Sequence, residues 1–161
     1  MRAIVAADEH WGIGKDNKLL VSIPQDMKFF RNETTGKVII MGRKTLESFP
    51  NARPLPNRKN IVLTRDMSYT VKDATVVHSV EEALAAVSEY PSDMVYCIGG
   101  DSIYSQFLEY CDTVFVTRIG FTYEADAFFR ILTSIRTGNW RAAVTNRLTL
   151  IWNISLTGMK K

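Results

Sequence analysis

The amino-acid sequence predicts a single α/β domain that ends in an antiparallel pair of strands. Short apolar runs alternate with segments of helical periodicity, which is typical of a sheet flanked by helices. The chain has 161 residues, of which 46% are hydrophobic, enough for one full core and too few for two domains. Two runs in the last third resemble strands joined by a tight turn. We therefore expect residues 1–161 to form one domain.

Each predicted strand is a short run rich in Val, Ile or Thr. These runs are 3–7, 37–41, 60–64, 74–78, 94–98 and 113–119, followed by 140–145 and 148–157 with a turn near Asn146 and Arg147. The predicted helices are 25–34, 43–49, 80–89 and 102–109. The helix 25–34 follows a capping-box pattern, and the helices 43–49 and 102–109 follow glycines. In the helix 80–89, Val80, Leu84 and Val87 are spaced for one buried face, which indicates packing.

Composition excludes several classes of function. The net charge of +3 is mild and scattered, so the sequence predicts no nucleic-acid partner, although an anionic small ligand is compatible with it. Cys97 and Cys111 are too few for a disulfide framework and indicate buried thiols in a reducing compartment. No signal peptide or membrane span is visible, so we expect a cytoplasmic protein. His10 and His78 have no companions at metal-ligand spacing, and we predict no metal site.

Asp26 is an acid on the face of a helix that otherwise packs apolar residues. Helical spacing places it one turn from Phe30 and beside Met27. A helix-start acid that complements the amide dipoles is one interpretation. However, Ser22 begins an S-x-x-Q capping box with a proline just inside the helix, so a second capping residue is not needed. The pattern therefore favours a carboxylate that faces a ligand in a pocket.

Two strand-to-helix junctions have a phosphate-binding pattern. The strand 37–41 runs into the G-R-K-T sequence of residues 42–45, and the strand 94–98 runs into the G-G pair at 99–100. Glycine lets a backbone approach a ligand, and a helix start supplies free amides. Glycine also ends strands for structural reasons, so one junction alone is weak evidence. At the ends of neighbouring strands, both junctions would face one crevice.

Two arginines follow turns or strands at positions suited to anions. Arg58 lies in the turn 55–60 and is either a solvated loop charge or a bidentate partner for a substrate carboxylate. Arg65 follows the strand 60–64, where it is placed to bind a phosphate.

Taken in order, these motifs resemble those of the chromosomal-type dihydrofolate reductases. The matching residues are Ala6-Ala7, Trp11-Gly12-Ile13-Gly14, Asn17, Ile23-Pro24-Gln25-Asp26, Phe30, Thr34, Met41-Gly42-Arg43-Lys44-Thr45, Ser48, Leu55-Pro56-Asn57-Arg58, Ile98-Gly99-Gly100, Tyr104 and Thr117. The resemblance is continuous from Met1 to about Phe129. It implies a mostly parallel eight-stranded twisted sheet with an antiparallel C-terminal hairpin, flanked by four helices. It also implies hydride transfer from NADPH to the C6=N5 bond of dihydrofolate.

The resemblance implies a catalytic group of Asp26, Thr117 and Tyr104. Asp26 would accept hydrogen bonds from the pterin 2-amino group and N3, and would favour protonation of N5 by solvent. Burial raises the pKa of an Asp, whereas the helix start and the pterin donors lower it. The implied substrate-binding residues are Val5, Ala6, Met27, Phe30, Phe49, Leu55, Arg58 and Ile98, with Arg58 on the glutamate α-carboxylate.

The resemblance also implies an NADPH site. Its residues would be Ala7, Ile13, Gly42, Arg43, Lys44, Thr45, Leu63, Thr64, Arg65, Gly99, Gly100, Asp101, Ser102 and Ile103. Thr64 and Arg65 would hold the adenosine 2′-phosphate and so favour NADPH over NADH. We expect dihydrofolate as the substrate, a monomer, and neither a membrane nor a nucleic-acid partner.

Several positions depart from the family pattern. Val21 stands where a tryptophan is usual, Ala127 replaces a threonine, and the closing hairpin is shortened. Asp101 is placed either to cap a helix or to put its charge near the pyrophosphate. Two alternatives stay open: a pyrimidinone reductase of riboflavin synthesis, and a weakened homologue kept for folate binding or assembly. Because the pocket acid Asp26 is retained, the sequence favours an active enzyme.

Overall fold

The computed structural model describes residues 1–129, 140–144 and 149–155. Its strands are β1 (Arg2–Ala7), β2 (Gly12–Lys15), β3 (Lys18–Leu19), β4 (Val38–Gly42), β5 (Lys59–Leu63), β6 (Thr75–Val77), β7 (Val95–Cys97), β8 (Thr113–Ile119), β9 (Ala127–Phe128), β10 (Trp140–Val144) and β11 (Thr149–Ser155). The α-helices of this described part are α1 (Pro24–Thr34), α2 (Arg43–Glu47), α3 (Val80–Val87) and α4 (Asp101–Phe107). None of them is both long and apolar enough to cross a lipid bilayer.

The main sheet has the strand order β10-β11-β8-β1-β7-β4-β5-β6. Strand β1 lies between β7 and β8 and is parallel to both, and β4 is parallel to its neighbours β5 and β7. Strand β11 runs antiparallel to β8 and to β10. The predicted fold class, a mostly parallel eight-stranded sheet with an antiparallel ending, is thereby confirmed. The predicted turn near Asn146 and Arg147 lies outside the described residues.

The predicted strands and helices are present, with shifted ends. Strand β4 extends to Gly42 because that residue still pairs with Leu63 of β5. Helix α2 ends at Glu47 rather than at Phe49, and α3 ends at Val87. A second sheet, ordered β3-β2-β9, was not predicted, since two of its strands have only two residues each.

The capping-box prediction at Ser22 is wrong. Helix α1 begins at Pro24 with Ile23 as its N-cap, and no side chain caps it. The physical reason is the proline, which fixes the backbone of the first helical turn and holds the preceding residue extended. Ile23 accordingly has φ −113° and ψ 112°, and its carbonyl accepts the first helical hydrogen bond from the amide of Met27.

The two faces of the main sheet carry separate apolar clusters. One face buries Ala3 and Val5 of β1 beneath α3 and α4. The opposite face buries Ile4 with Met41 and is covered by aromatic residues of α1. Cys97 and Cys111 are buried free thiols, as predicted. Side chains of alternate residues in each central strand therefore point to opposite faces of the sheet, and only those on the face under α1 point toward Asp26.

Candidate active site

Helix α1 and strand β8 bring the predicted pocket acid and its partner together. The Thr117 hydroxyl Oγ1 donates a hydrogen bond of 2.6 Å to Oδ1 of Asp26. Thr117 is buried, whereas Asp26 is partly exposed, so the carboxylate stays open to the cleft. Ala6 pairs with Thr117 across β1 and β8, which places its small side chain on the same face of the sheet.

The environment of Asp26 raises the pKa of its carboxyl group. Burial is the larger cause and raises the pKa, while the hydrogen bond from Thr117 lowers it by less. The sequence alone did not show which of these effects is larger, and in the structure burial outweighs the hydrogen bond, so the pKa is raised. A carboxyl group of this kind is suited to an opposite charge or to paired donors, because either one stabilises the ionised form.

An apolar groove runs along α1, the helix that also carries Asp26. Phe30, Phe49, Leu55 and Ile98 belong to the apolar cluster on this face of the sheet. Met27 is 40% exposed and borders the groove rather than packing into the core. The groove has a volume of about 380 Å³ and is lined by Met27, Phe30, Arg31, Thr35, Leu55, Pro56, Asn57 and Arg58. It is open, apolar along its walls and basic at one end.

Arg58 is held in place at the basic end of this groove. Its Nε donates to Oγ1 of Thr34 at 2.9 Å, and its Nη1 donates to the carbonyl of Pro56 at 2.7 Å. The guanidinium also lies 6.0 Å from the ring centre of Phe30. Burial lowers the pKa of Arg58, and the neighbouring charge of Arg31 lowers it further. An arginine fixed in this way is a ready partner for a carboxylate.

Two residues that position Arg58 were given no role in the sequence analysis, although Thr34 belongs to the family pattern. Thr34 is fully buried and receives the Arg58 hydrogen bond while donating to the carbonyl of Phe30. Asn60, buried within β5, accepts from the amide of Leu55 and donates to the carbonyls of Leu55 and Arg58. A buried amide side chain inside a strand is the signal that was available, because such groups need hydrogen-bond partners.

The two glycine junctions lie side by side, as predicted. Strands β4 and β7 are neighbours, and the amide of Gly42 donates to the carbonyl of Gly99 at 2.9 Å. A Cβ atom on Gly99 would lie 2.7 Å from the Tyr104 ring, and one on Gly42 would lie 2.9 Å from Ile103. Packing against α4 therefore explains both of these glycines. A Cβ atom on Gly100 would lie 3.5 Å from Oγ1 of Thr45, so the two helix starts face each other closely.

The starts of α2 and α4 have the chemistry that an anion needs. Their N-caps are Gly42 and Gly100, and no side chain caps either helix. First-turn amides are what a bound phosphate satisfies, and at α4 the amide of Ser102 already donates to the Asp101 carboxylate. Lys44 and Ser102 are exposed beside them. Capping α4 was one of the two roles predicted for Asp101, and as an N-cap this prediction is wrong, because Gly100 is the N-cap and Asp101 is the first residue of the helix.

The third group of predicted cofactor residues lies past the end of β5. Thr64 is buried, and its Oγ1 accepts from the amide of Asp66. Arg65 is exposed. Arg43 reaches across from α2, and its Nη1 lies 3.1 Å from Oδ2 of Asp66. Asp66 was missed by the sequence analysis, since only the fold brings it against Arg43.

The remaining predicted residues lie on the far face of the sheet. Val5, Ala7, Ile13, Leu63 and Ile103 are buried in the cluster beneath α3 and α4. Tyr104 is buried with them, and its hydroxyl donates to the carbonyl of Ile4 at 2.6 Å. These residues lie behind the cleft rather than within it, and the Tyr104 hydroxyl is committed to the main chain.

The segment before α1 is tied to the loop after β8. Asp8 is buried and accepts hydrogen bonds from the amides of His10, Gly12 and Tyr123. The amide of Asp16 donates to Oδ2 of Asp126 at 2.9 Å. Val21, at the usual tryptophan position, is partly exposed. Across the described residues no group of His, Cys, Asp and Glu side chains is arranged to hold a metal ion.

Comparison with known proteins agrees with this geometry. The family model described as dihydrofolate reductase matches residues 1–149. The dihydrofolate reductase of Staphylococcus haemolyticus is 40% identical over 129 residues, covering 80% of this chain and 75% of that protein. That of Bacillus subtilis is 40% identical over 126 residues, covering 78% and 73%. The solved Enterococcus faecalis dihydrofolate reductase, complexed with NADP(H) and RAB-propyl, superimposes with a TM-score of 0.81 at 34% identity, covering 95% of this chain and 93% of that one. The chain therefore belongs to the dihydrofolate reductase family.

Proposed function

We propose that this chain reduces dihydrofolate with NADPH by holding the pterin ring against Asp26 and Thr117. The observation that carries the proposal is the hydrogen bond between these two side chains, with Asp26 on the same helix that lines an apolar groove. Two adjacent pterin donors match the two oxygens of one carboxylate. The groove is lined by apolar side chains of α1 and by Arg58, and this combination suits a ligand with an aromatic part and an anionic tail.

Asp26 would act electrostatically. Its carboxylate, anchored on Thr117, would stabilise the pterin once solvent has protonated N5. A partly buried charge acts more strongly than an exposed one because less water screens it. The raised pKa of Asp26 supports this role, since its ionised form gains most from a cationic partner.

Arg58 would bind the α-carboxylate of the substrate. The Thr34 and Pro56 contacts use its Nε and Nη1, which leaves the guanidinium oriented toward the groove before substrate arrives. Phe30, Phe49 and Leu55 would pack against the aromatic part of the substrate. The substrate would therefore be fixed at both ends.

The starts of α2 and α4 would hold the cofactor phosphates. Arg43, Thr45 and Ser102 lie there, and both N-caps are glycines. Thr64 and Arg65 would bind the adenosine 2′-phosphate. NADPH supplies the hydride when bound. Ala6, whose small side chain shares a face of the sheet with Thr117, would leave room for the reacting rings to approach each other.

Steady-state NADPH oxidation tests this function. We expect oxidation that depends on dihydrofolate and that is much faster than with NADH. Oxidation that instead depends on a ribosylated pyrimidinone would favour the riboflavin-pathway alternative. Tight binding of both ligands without turnover would favour the weakened homologue, for which Val21 was the motivation.

We further propose that residues 1–161 form one domain that acts as a monomer in the cytoplasm. Two buried free thiols support a reducing compartment. Light scattering coupled to gel filtration should give the mass of one chain, and a concentration-dependent doubling of that mass would contradict the monomer.

A further inference from the structure

Arg43 is held by acidic side chains in the free protein. Its Nη1 lies 3.1 Å from Oδ2 of Asp66, and its Nε lies 3.5 Å from Oε1 of Glu47. The guanidinium also lies 5.6 Å from the ring centre of Tyr69. Two of the three guanidinium nitrogens are therefore already paired with carboxylates.

Asp66 is the more firmly oriented of the two acids. Its second oxygen, Oδ1, accepts hydrogen bonds from both the amide and the hydroxyl of Ser68. Its own amide donates to Oγ1 of Thr64. Glu47, by contrast, is one helical turn from Arg43 on α2, in a pairing common on exposed helix surfaces. Asp66 thus comes from a different part of the fold and holds its carboxylate in a set position against Arg43.

The side chains of Asp66 and Arg43 favour opposite groups at the 2′ position of an adenosine ribose. A guanidinium binds phosphate through paired hydrogen bonds. A carboxylate at the ribose end of a dinucleotide site accepts from a 2′-hydroxyl instead and repels a 2′-phosphate. The side chains of Arg43 and Asp66 are 37% and 42% exposed, so their ion pair is screened by water and can be displaced by a ligand.

We propose that Asp66 is a specificity-determining residue that limits the preference of this protein for 2′-phosphorylated cofactor. Arg43 begins α2, but its guanidinium reaches Asp66, the residue after Thr64 and Arg65, so the Asp66 carboxylate competes with the 2′-phosphate for Arg43 as well. The inference rests on the proposed cofactor site, because it assumes that the adenosine end lies beside Thr64 and Arg65. Alternatively, the pairing with Asp66 orients Arg43 for the 2′-phosphate. In that case, removing the Asp66 carboxylate would weaken the binding of the 2′-phosphate rather than strengthen it.

Binding of two small nucleotides separates these roles without any turnover. Adenosine 2′,5′-bisphosphate and adenosine 5′-monophosphate differ only in the 2′-phosphate, so the ratio of their dissociation constants isolates that group. Calorimetric titration of the full chain would measure both. In Asp66→Asn the amide oxygen can still accept from Ser68, so the turn is kept. The net-charge control is Glu89→Gln, an exposed acid beyond the far end of α3.

We expect Asp66→Asn to bind the bisphosphate about 2- to 10-fold more tightly and to leave the monophosphate unchanged, a range set by an exposed ion pair and one removed like charge. Glu89→Gln should leave the ratio unchanged. A ratio that stays at the parent value or falls in Asp66→Asn would overturn the inference while leaving the cofactor site intact. A parent protein that binds both nucleotides equally would contradict the proposed 2′-phosphate site itself.

Discussion

Replacing Arg58 by leucine should separate substrate binding from folding. The guanidinium is proposed to bind the substrate α-carboxylate, and a charge-assisted hydrogen-bond pair is worth about 1.5–3 kcal/mol. Dihydrofolate should therefore bind roughly 10- to 150-fold more weakly to Arg58→Leu. The cofactor should bind as before, because Arg58 lies on α1's side of the cleft and not at the starts of α2 and α4.

The structural cost of this substitution is small. Arg58 donates to Thr34 and Pro56, but Thr34 keeps its own bond to the carbonyl of Phe30, and Pro56 is exposed to water. Loss of each of these two hydrogen bonds should lower the free energy of unfolding by about 0.5–1.5 kcal/mol. The melting temperature should fall by several degrees, at about 2–4 °C per kcal/mol for a chain of this size.

Fluorescence titrations with dihydrofolate and its α-carboxamide provide the assay, because the amide lacks only the α-carboxylate charge. The parent should prefer dihydrofolate, and Arg58→Leu should bind both alike. Arg53→Leu, an exposed arginine in the preceding turn, is the matched control and should behave like the parent. Arg65→Ala should weaken NADPH binding and spare dihydrofolate. If Arg58→Leu lost affinity for the α-carboxamide to the same extent, the arginine would be acting through loop structure, and the assignment would be wrong.

Two further predictions concern the segment before α1. Asp8→Asn should destabilise the fold by about 1–3 kcal/mol, because an amide nitrogen would face the partly buried amide of Tyr123. Burial raises the pKa of Asp8, but its three backbone hydrogen bonds outweigh this and leave the pKa lowered. Ionised Asp8 should therefore stabilise the folded protein above the unfolded-state pKa of about 3.9, and this stabilisation should be lost as the pH falls below that value. Melting curves of the parent and Asp8→Asn should converge in acid, and a constant difference would count against the reasoning. Val21→Trp should tighten dihydrofolate binding and speed single-turnover hydride transfer, unless overpacking costs about 1–3 kcal/mol. An equally stable but no faster variant would show that Val21 is neutral.

The sequence predicted what depends on local pattern. Runs such as Val38–Gly42 are buried on both faces, so their composition alone indicates central parallel strands. Asp26 was identified because an acid on an apolar helix face conflicts with packing. The pair of glycine junctions followed from the same strand pattern, since neighbouring parallel strands end at one edge of the sheet.

What the sequence missed depends on contacts between distant segments. Strand β9 (Ala127–Phe128) pairs with β2 (Gly12–Lys15), and more than a hundred residues of the chain separate the two strands. A strand of two residues is also too short to show the alternating pattern of polar and apolar residues that would reveal it. Asp66 meets Arg43 only because β4 and β5 are neighbours. At Ser22 the pattern was present but was overridden by Pro24, which sets the helix start one residue later than the capping box requires.

The most direct test of the proposed mechanism is single-turnover hydride transfer in Asp26→Asn. Asparagine keeps an oxygen for Thr117 but removes the charge. We predict a fall in rate of about 10²- to 10⁴-fold at neutral pH, with partial recovery at low pH, where N5 is protonated without help. NADPH binding should be unchanged, which shows that the fold is intact. A variant whose rate at neutral pH stays within about twofold of the parent would contradict the claim that Asp26 drives this reaction.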